Sequence, residues 1–101
     1  MEEDRVREAL GALIELLEGL GEPHASSAAG LGRLDLMVEE ARDRDSADLL
    51  QQAVRTIIRL YGGMGSFADV VLMESGEVLP EQEEFYELRR RLFQAARDEL
   101  R

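Results

Sequence analysis

Apolar residues recur along this chain at helical spacing in four places and at a different spacing in a fifth. Placed at about 100° per residue, Val6, Ala9, Leu10, Leu13, Ile14, Leu16, Leu17 and Leu20 share one arc, while Glu8, Glu15 and Glu18 fall opposite. This predicts an amphipathic helix over residues 3–20, with Gly19, Gly21 and Pro23 as its stop. Residues 22–32, EPHASSAAGLG, break the pattern with small and polar side chains. They read as a loop or a poorly formed helical lead-in. Leu34, Met37, Val38 and Ala41 predict a helix over 33–44, with Leu36 off its apolar face. Asp45 is the expected cap of the next helix, and Asp48 lies favourably in its first turn. Over 47–61 the apolar set is Leu49, Leu50, Ala53, Val54, Ile57, Ile58, Leu60 and Tyr61. It covers about half the girth, so this helix should touch two or more neighbours.

The fifth stretch, DVVLMESGEVL at 69–79, has another rhythm. Val70 to Met73 is a short apolar run, Ser75-Gly76 is a turn signal, and Val78-Leu79 can return. The expectation is a two-stranded ribbon, which needs helices beneath it to be stable. Pro80 suits the first position of the last helix, and Glu81, Glu83, Glu84 and Glu87 load its positive end. Phe85, Leu88, Leu92, Phe93, Ala96 and Leu100 form its apolar stripe, and Glu87 is spaced to pair with Arg91. The expected fold is mainly α: one domain, residues 1–101, a compact bundle of about four helices with one short β-ribbon before the last.

Composition narrows the chemistry. The 101 residues carry 22 acidic and 12 basic side chains, a net charge of −10. Such a field repels nucleic acid and anionic membranes and favours basic partners. There is no cysteine, so disulfides and thiolate metal sites are excluded. The acidic start MEEDRVREAL is unlike a signal peptide, and no apolar run approaches membrane-spanning length. A soluble cytoplasmic protein is the expectation.

Residues 63–68, GMGSFA, match the dinucleotide pattern G-x-G-x-x-A in form. That pattern works by following a strand and opening a helix, so that backbone N–H groups meet pyrophosphate. Here a helix precedes and a strand-like run follows, and no lysine completes a P-loop. A scaffold reading explains more. Gly62 or Gly63 ends the preceding helix in the left-handed conformation, Gly65 lets the chain reverse, and Ser66 and Asp69 have capping-box spacing. Met64 and Phe67 then cover the turn from inside; exposed, they would form a small contact patch. On the last helix Arg89 falls within the apolar arc, between Phe85 and Phe93. It must snorkel out, stack on a ring, or find a partner, and Asp69 is the expected one.

The segment GGMGSFADVVL and the later EFYELRRRLFQAA together resemble an uncharacterised family of small bacterial proteins. The resemblance covers about residues 57–96 and rests on Gly62, Gly63, Met64, Gly65, Ser66 and Asp69, with Leu88 and Arg89 on the closing helix. It implies a small, mainly helical cytoplasmic protein without an assigned activity, and immunity or antitoxin proteins are among the roles considered for such small acidic chains.

No constellation of residues points to catalysis, a metal or a cofactor. The one histidine, His24, lies in the unpatterned stretch beside Ser26 and Ser27, too local for a triad. DRDSAD at 43–48 lacks the glycine and distant glutamate of a calcium loop and reads as a helix junction. RRR at 89–91 is too brief for a nucleic-acid site. The first expectation is therefore a non-enzymatic module for a basic protein partner, steered by Glu39, Glu40, Asp43, Asp45 and Asp48. The alternatives are a regulator binding a small anion or metabolite at the glycine-rich segment and Arg89, and a structural homo-oligomer such as a homodimer.

Overall fold

The computed structural model describes residues 2–62 and 70–100. Four helices, α1 (Glu2–Gly19), α2 (His24–Asp43), α3 (Ala47–Arg59) and α4 (Gln82–Glu99), form a bundle. A hairpin of β1 (Met73–Glu74) and β2 (Glu77–Val78) precedes the last helix. Around the bundle each helix packs on its two neighbours in chain order, with α4 closing back onto α1. Contacts between the helix ends fix the directions. Arg5 on α1 meets Asp98 on α4 at 3.1 Å, and Gln51 near the start of α3 donates to the Glu99 carbonyl at 2.7 Å. The starts of α1 and α3 thus lie at the same end as the finish of α4.

The core is built from the predicted stripes. Val6, Leu10, Leu13 and Leu17 of α1 are fully or almost fully buried, as are Val38 of α2, Val54 and Ile57 of α3, and Phe85 and Leu92 of α4. α3 packs on both α2 and α4, as its wide apolar arc requires. Gly21, at φ +74°, ends α1 in the left-handed region that glycine adopts without a Cβ penalty.

Five local expectations need correction. Residues 24–32 are not a loop or lead-in but the first half of α2. Ala28, Leu31, Leu34, Val38 and Ala41 make one buried stripe along that helix. Packing of the stripe overrides the poor helix propensity of two glycines and two serines. Ser46, not Asp45, caps α3: its Oγ accepts from the Leu49 N–H at 3.2 Å, while Asp45 takes a left-handed φ of 50° to reverse the chain. Ser46→Ala should therefore cost about 0.5–2 kcal/mol in chemical denaturation. Pro80 does not open α4; Glu81 stands between it and the first helical residue, Gln82. Glu87 pairs with Arg90 at 3.4 Å rather than with Arg91, and Leu100 is exposed beyond the helix end.

The ribbon is shorter than its apolar run. Val70 and Val71 precede the strands, and only Met73↔Val78 and Glu74↔Glu77 pair. Ser75 and Gly76 both have positive φ, 53° and 81°, the pattern of a tight type I′ turn. Leu72 anchors the hairpin. Its side chain is fully buried, its N–H donates to Gln82 Oε1 at 2.7 Å, and its carbonyl accepts from the Leu79 N–H at 2.9 Å.

Candidate functional site

The residues singled out from the sequence fall into two groups at different ends of the molecule. Glu39, Glu40, Asp43, Asp45 and Asp48 span the finish of α2, the junction and the first turn of α3. All but the half-buried Glu39 are exposed. Part of this charge is answered locally. Arg44 meets Glu40 at 3.0 Å, and Arg7 Nε donates to Asp35 Oδ1 at 3.1 Å. That hydrogen bond raises the Arg7 pKa, helped by the Asp35, Glu39 and Asp43 charges and opposed by burial.

The second group centres on Arg89. Helical spacing puts Arg89 one turn after Phe85 and one turn before Phe93. Arg89 is buried, at 6% exposure, so it does not snorkel into solvent. Its guanidinium carbon lies 4.5 Å from the Phe85 ring centroid, a cation–π contact. Its NH1 donates to the Val70 carbonyl at 2.9 Å. The Tyr61 hydroxyl donates to the Arg89 carbonyl at 2.8 Å, and the Tyr61 ring meets Phe93 at 4.8 Å between centroids. One turn of α4 thus holds Tyr61, after the end of α3, and Val70, before the hairpin.

These two contacts flank the glycine-rich segment. Gly63, Met64, Gly65, Ser66, Phe67 and Asp69 lie outside the described residues, and with them the expected Arg89–Asp69 contact. Of the two glycines expected to end α3 in the left-handed conformation, Gly62 is described and its φ is not left-handed, while Gly63 lies outside the described residues. α3 instead closes by tightened turns, with the Leu60, Tyr61 and Gly62 N–H groups donating to Ile57, Ile58 and Arg59 carbonyls. Among the described residues, a recess of about 160 Å³ beside Arg89 is lined by Tyr61, Tyr86, Arg89, Arg90 and Phe93. Small-ligand sites more often span about 300–1,000 Å³.

Burial pushes the Tyr61 hydroxyl above the ordinary tyrosine value of about 10, with the Arg89 cation opposing. The neutral phenol is therefore the form the fold prefers. Its stabilising contribution is complete below about pH 10 and is lost as the pH rises from there through the raised folded value. Titration of phenolate absorbance should show a late step coupled to alkaline unfolding, and Tyr61→Phe should remove that step.

Other sequence-stated candidates are placed without chemistry. His24 is the first residue of α2, and Ser26 and Ser27 follow on the same helix, with the Ser26 hydroxyl bonded to the Glu22 carboxylate. Among the described residues no group of three or more His, Cys, Asp or Glu side chains could hold a metal ion. No described helix is long and apolar enough to cross a membrane.

Sequence reasoning found Arg89 but missed what holds it. The hydroxyl of Tyr61 on a buried arc was the available signal, since a buried phenol needs a partner. The Val70 carbonyl carried no signal at all, because a backbone acceptor has no residue type. Gln82, which takes the Leu72 N–H, reads as an ordinary polar position in a helical first turn.

Comparison with known proteins places this geometry in a family rather than in an activity. No curated protein and no solved structure matches the chain. Residues 25–80, more than half of the chain, match the model of a family described as a domain of unknown function (DUF6966). The span takes in α2, α3, the glycine-rich segment and the hairpin, and it stops before α4 and Arg89. The part of the sequence-based resemblance that lies on the closing helix is outside it. With a match of that extent, the chain belongs to the uncharacterised DUF6966 domain family.

Proposed function

We propose that this protein is a non-enzymatic interaction module of the bacterial cytoplasm that binds a basic protein partner through the outer face of its hairpin. An immunity or antitoxin role is one concrete form. The observation that carries the reading is apolar exposure where a small domain gains nothing from it. Met73 and Val78 are cross-strand partners, and Val71 precedes Met73 by two, so all three share a ribbon face. They are 47%, 56% and 49% exposed, and Tyr86 on α4 is 56% exposed. Leu72, on the opposite face, is fully buried. Among the described residues the hairpin forms a two-stranded sheet with no third strand, and a short ribbon with an apolar face suits a partner surface.

Acidic residues surround this face. Glu74 and Glu77 are directly opposed across the strands, and Glu83 and Glu84 are exposed in the first turn of α4. Opposed like charges destabilise a hairpin slightly, and a basic partner would relieve them. The same rim disfavours a second copy of this chain, which argues against the homo-oligomer. The internal bonds of Arg89 disfavour an anion site there. The acidic junction of Glu40, Asp43, Asp45 and Asp48 lies toward the opposite end of the bundle, where it acts as long-range steering rather than contact.

Co-expression with each protein encoded beside this one tests the reading. A basic neighbour should co-purify, its binding should weaken with salt, and Met73→Glu with Val78→Glu should abolish it. Both positions are exposed, so the double variant should fold. If no neighbour binds, or if the double variant binds like the wild type, the reading fails.

A further inference from the structure

The chain is acidic overall, yet one cleft in it is not. Between α2 and α3 lies an open cleft of about 460 Å³, within the roughly 300–1,000 Å³ range of small-ligand sites. Its floor is apolar. Leu31 and Leu34 are buried core residues, and Met37 and Leu60 are half-buried beside them. Gly30 leaves the α2 wall without a side chain, and a Cβ there would meet only an Arg33 nitrogen, at 3.8 Å. Ser27 adds one exposed hydroxyl. No aspartate or glutamate lines the cleft among the described residues.

Arg33 is exposed at the cleft. Its helical neighbours three and four positions away are Gly30, Ala29, Leu36 and Met37, none of them acidic. On α3 the lining residue Thr56 has Arg55 before it and Arg59 three positions later, both exposed. Among the described residues none of these three arginines is in an ion pair. Arg33 is thus the one charged side chain among the described lining residues, with Arg55 and Arg59 near Thr56 in sequence but not lining the cleft. Charges farther off than about 8 Å are largely screened at physiological ionic strength, so the net charge of −10 does not decide what binds here.

We propose that this cleft binds a small amphipathic anion, an alkyl carboxylate. Its chain lies on Leu31, Leu34, Met37 and Leu60, and its carboxylate meets the Arg33 guanidinium, whose planar fork matches two oxygens. The Ser27 hydroxyl is the second donor. Every lining residue falls between Ser27 and Leu60, inside the span that the family model matches. The site shares no residue with the hairpin face, so it stands or falls independently of the proposed interaction role.

Decanoate, kept below its micellar range, is the probe, with acetate and decyltrimethylammonium as controls. Methyl resonances of Leu31, Leu34, Met37 and Leu60 should shift saturably with decanoate and with neither control. Gly30→Leu fills the cleft and improves helix propensity; it should fold and lose the shifts. Arg33→Glu, at an exposed position that folding does not need, should weaken decanoate by about tenfold or more. The proposal is overturned by no saturable shift, by shifts confined to other methyls, by equal binding of the decyl cation, or by unchanged binding in Gly30→Leu or Arg33→Glu.

Discussion

Truncating Phe85 to alanine should lower the unfolding free energy by about 3–5 kcal/mol, a large share of the roughly 5–15 kcal/mol that holds a domain together. Phe85 is 1% exposed and belongs to the same buried cluster as Leu72 and Leu92. Two costs add. The cavity forfeits the ring's burial and packing. The Arg89 guanidinium, 4.5 Å from that ring, loses the surface it lies on. Phe85→Leu separates them, because it keeps most of the volume and removes only the π face; its loss should be about 1–2 kcal/mol. Urea unfolding with an unchanged m-value would assign both losses to the folded state.

Arg89 carries the second large effect. Arg89→Ala should cost about 3 kcal/mol or more, and Arg89→Met about 1–3 kcal/mol. Methionine keeps an apolar stem in the core but leaves the Val70 carbonyl without its donor. Val70 is 39% exposed, so water can reach that region and the loss should fall toward the lower end. Alanine removes the stem as well, which adds a packing term. A solvent-borne arginine would behave otherwise, with both variants within about 0.5 kcal/mol of wild type. Because Phe85 and Arg89 touch, the double variant Phe85→Leu with Arg89→Met should depart from additivity by about 0.5–3 kcal/mol.

Helix periodicity made most of the architecture legible. The stripes of α1, α3 and α4 were readable because long apolar side chains recur at three and four positions over several turns. The first half of α2 was not, because its buried positions begin with Ala28 among serines and glycines, and only packing on its neighbours reveals them as a face. The Ser75-Gly76 turn was legible from its residue types, while the strand limits depended on hydrogen bonds that side chains do not encode. At the Arg89 site the anomaly was visible as a cation in an apolar arc. Its principal described acceptor is a backbone carbonyl, beyond the reach of any residue pattern. The α2–α3 cleft was equally hidden, since it arises where Gly30 of one helix faces the finish of another.

The claim on which the account rests is that Arg89 fastens the chain on both sides of the glycine-rich segment, as scaffold rather than as an anion receptor. Chemical unfolding of the wild type and of Arg89→Met, with and without ATP at constant ionic strength, tests it directly. The account predicts that ATP leaves the wild type unchanged and that the variant is destabilised by the same amount in either condition. A wild type stabilised by ATP, beside an Arg89→Met variant that gains nothing from it, would contradict it.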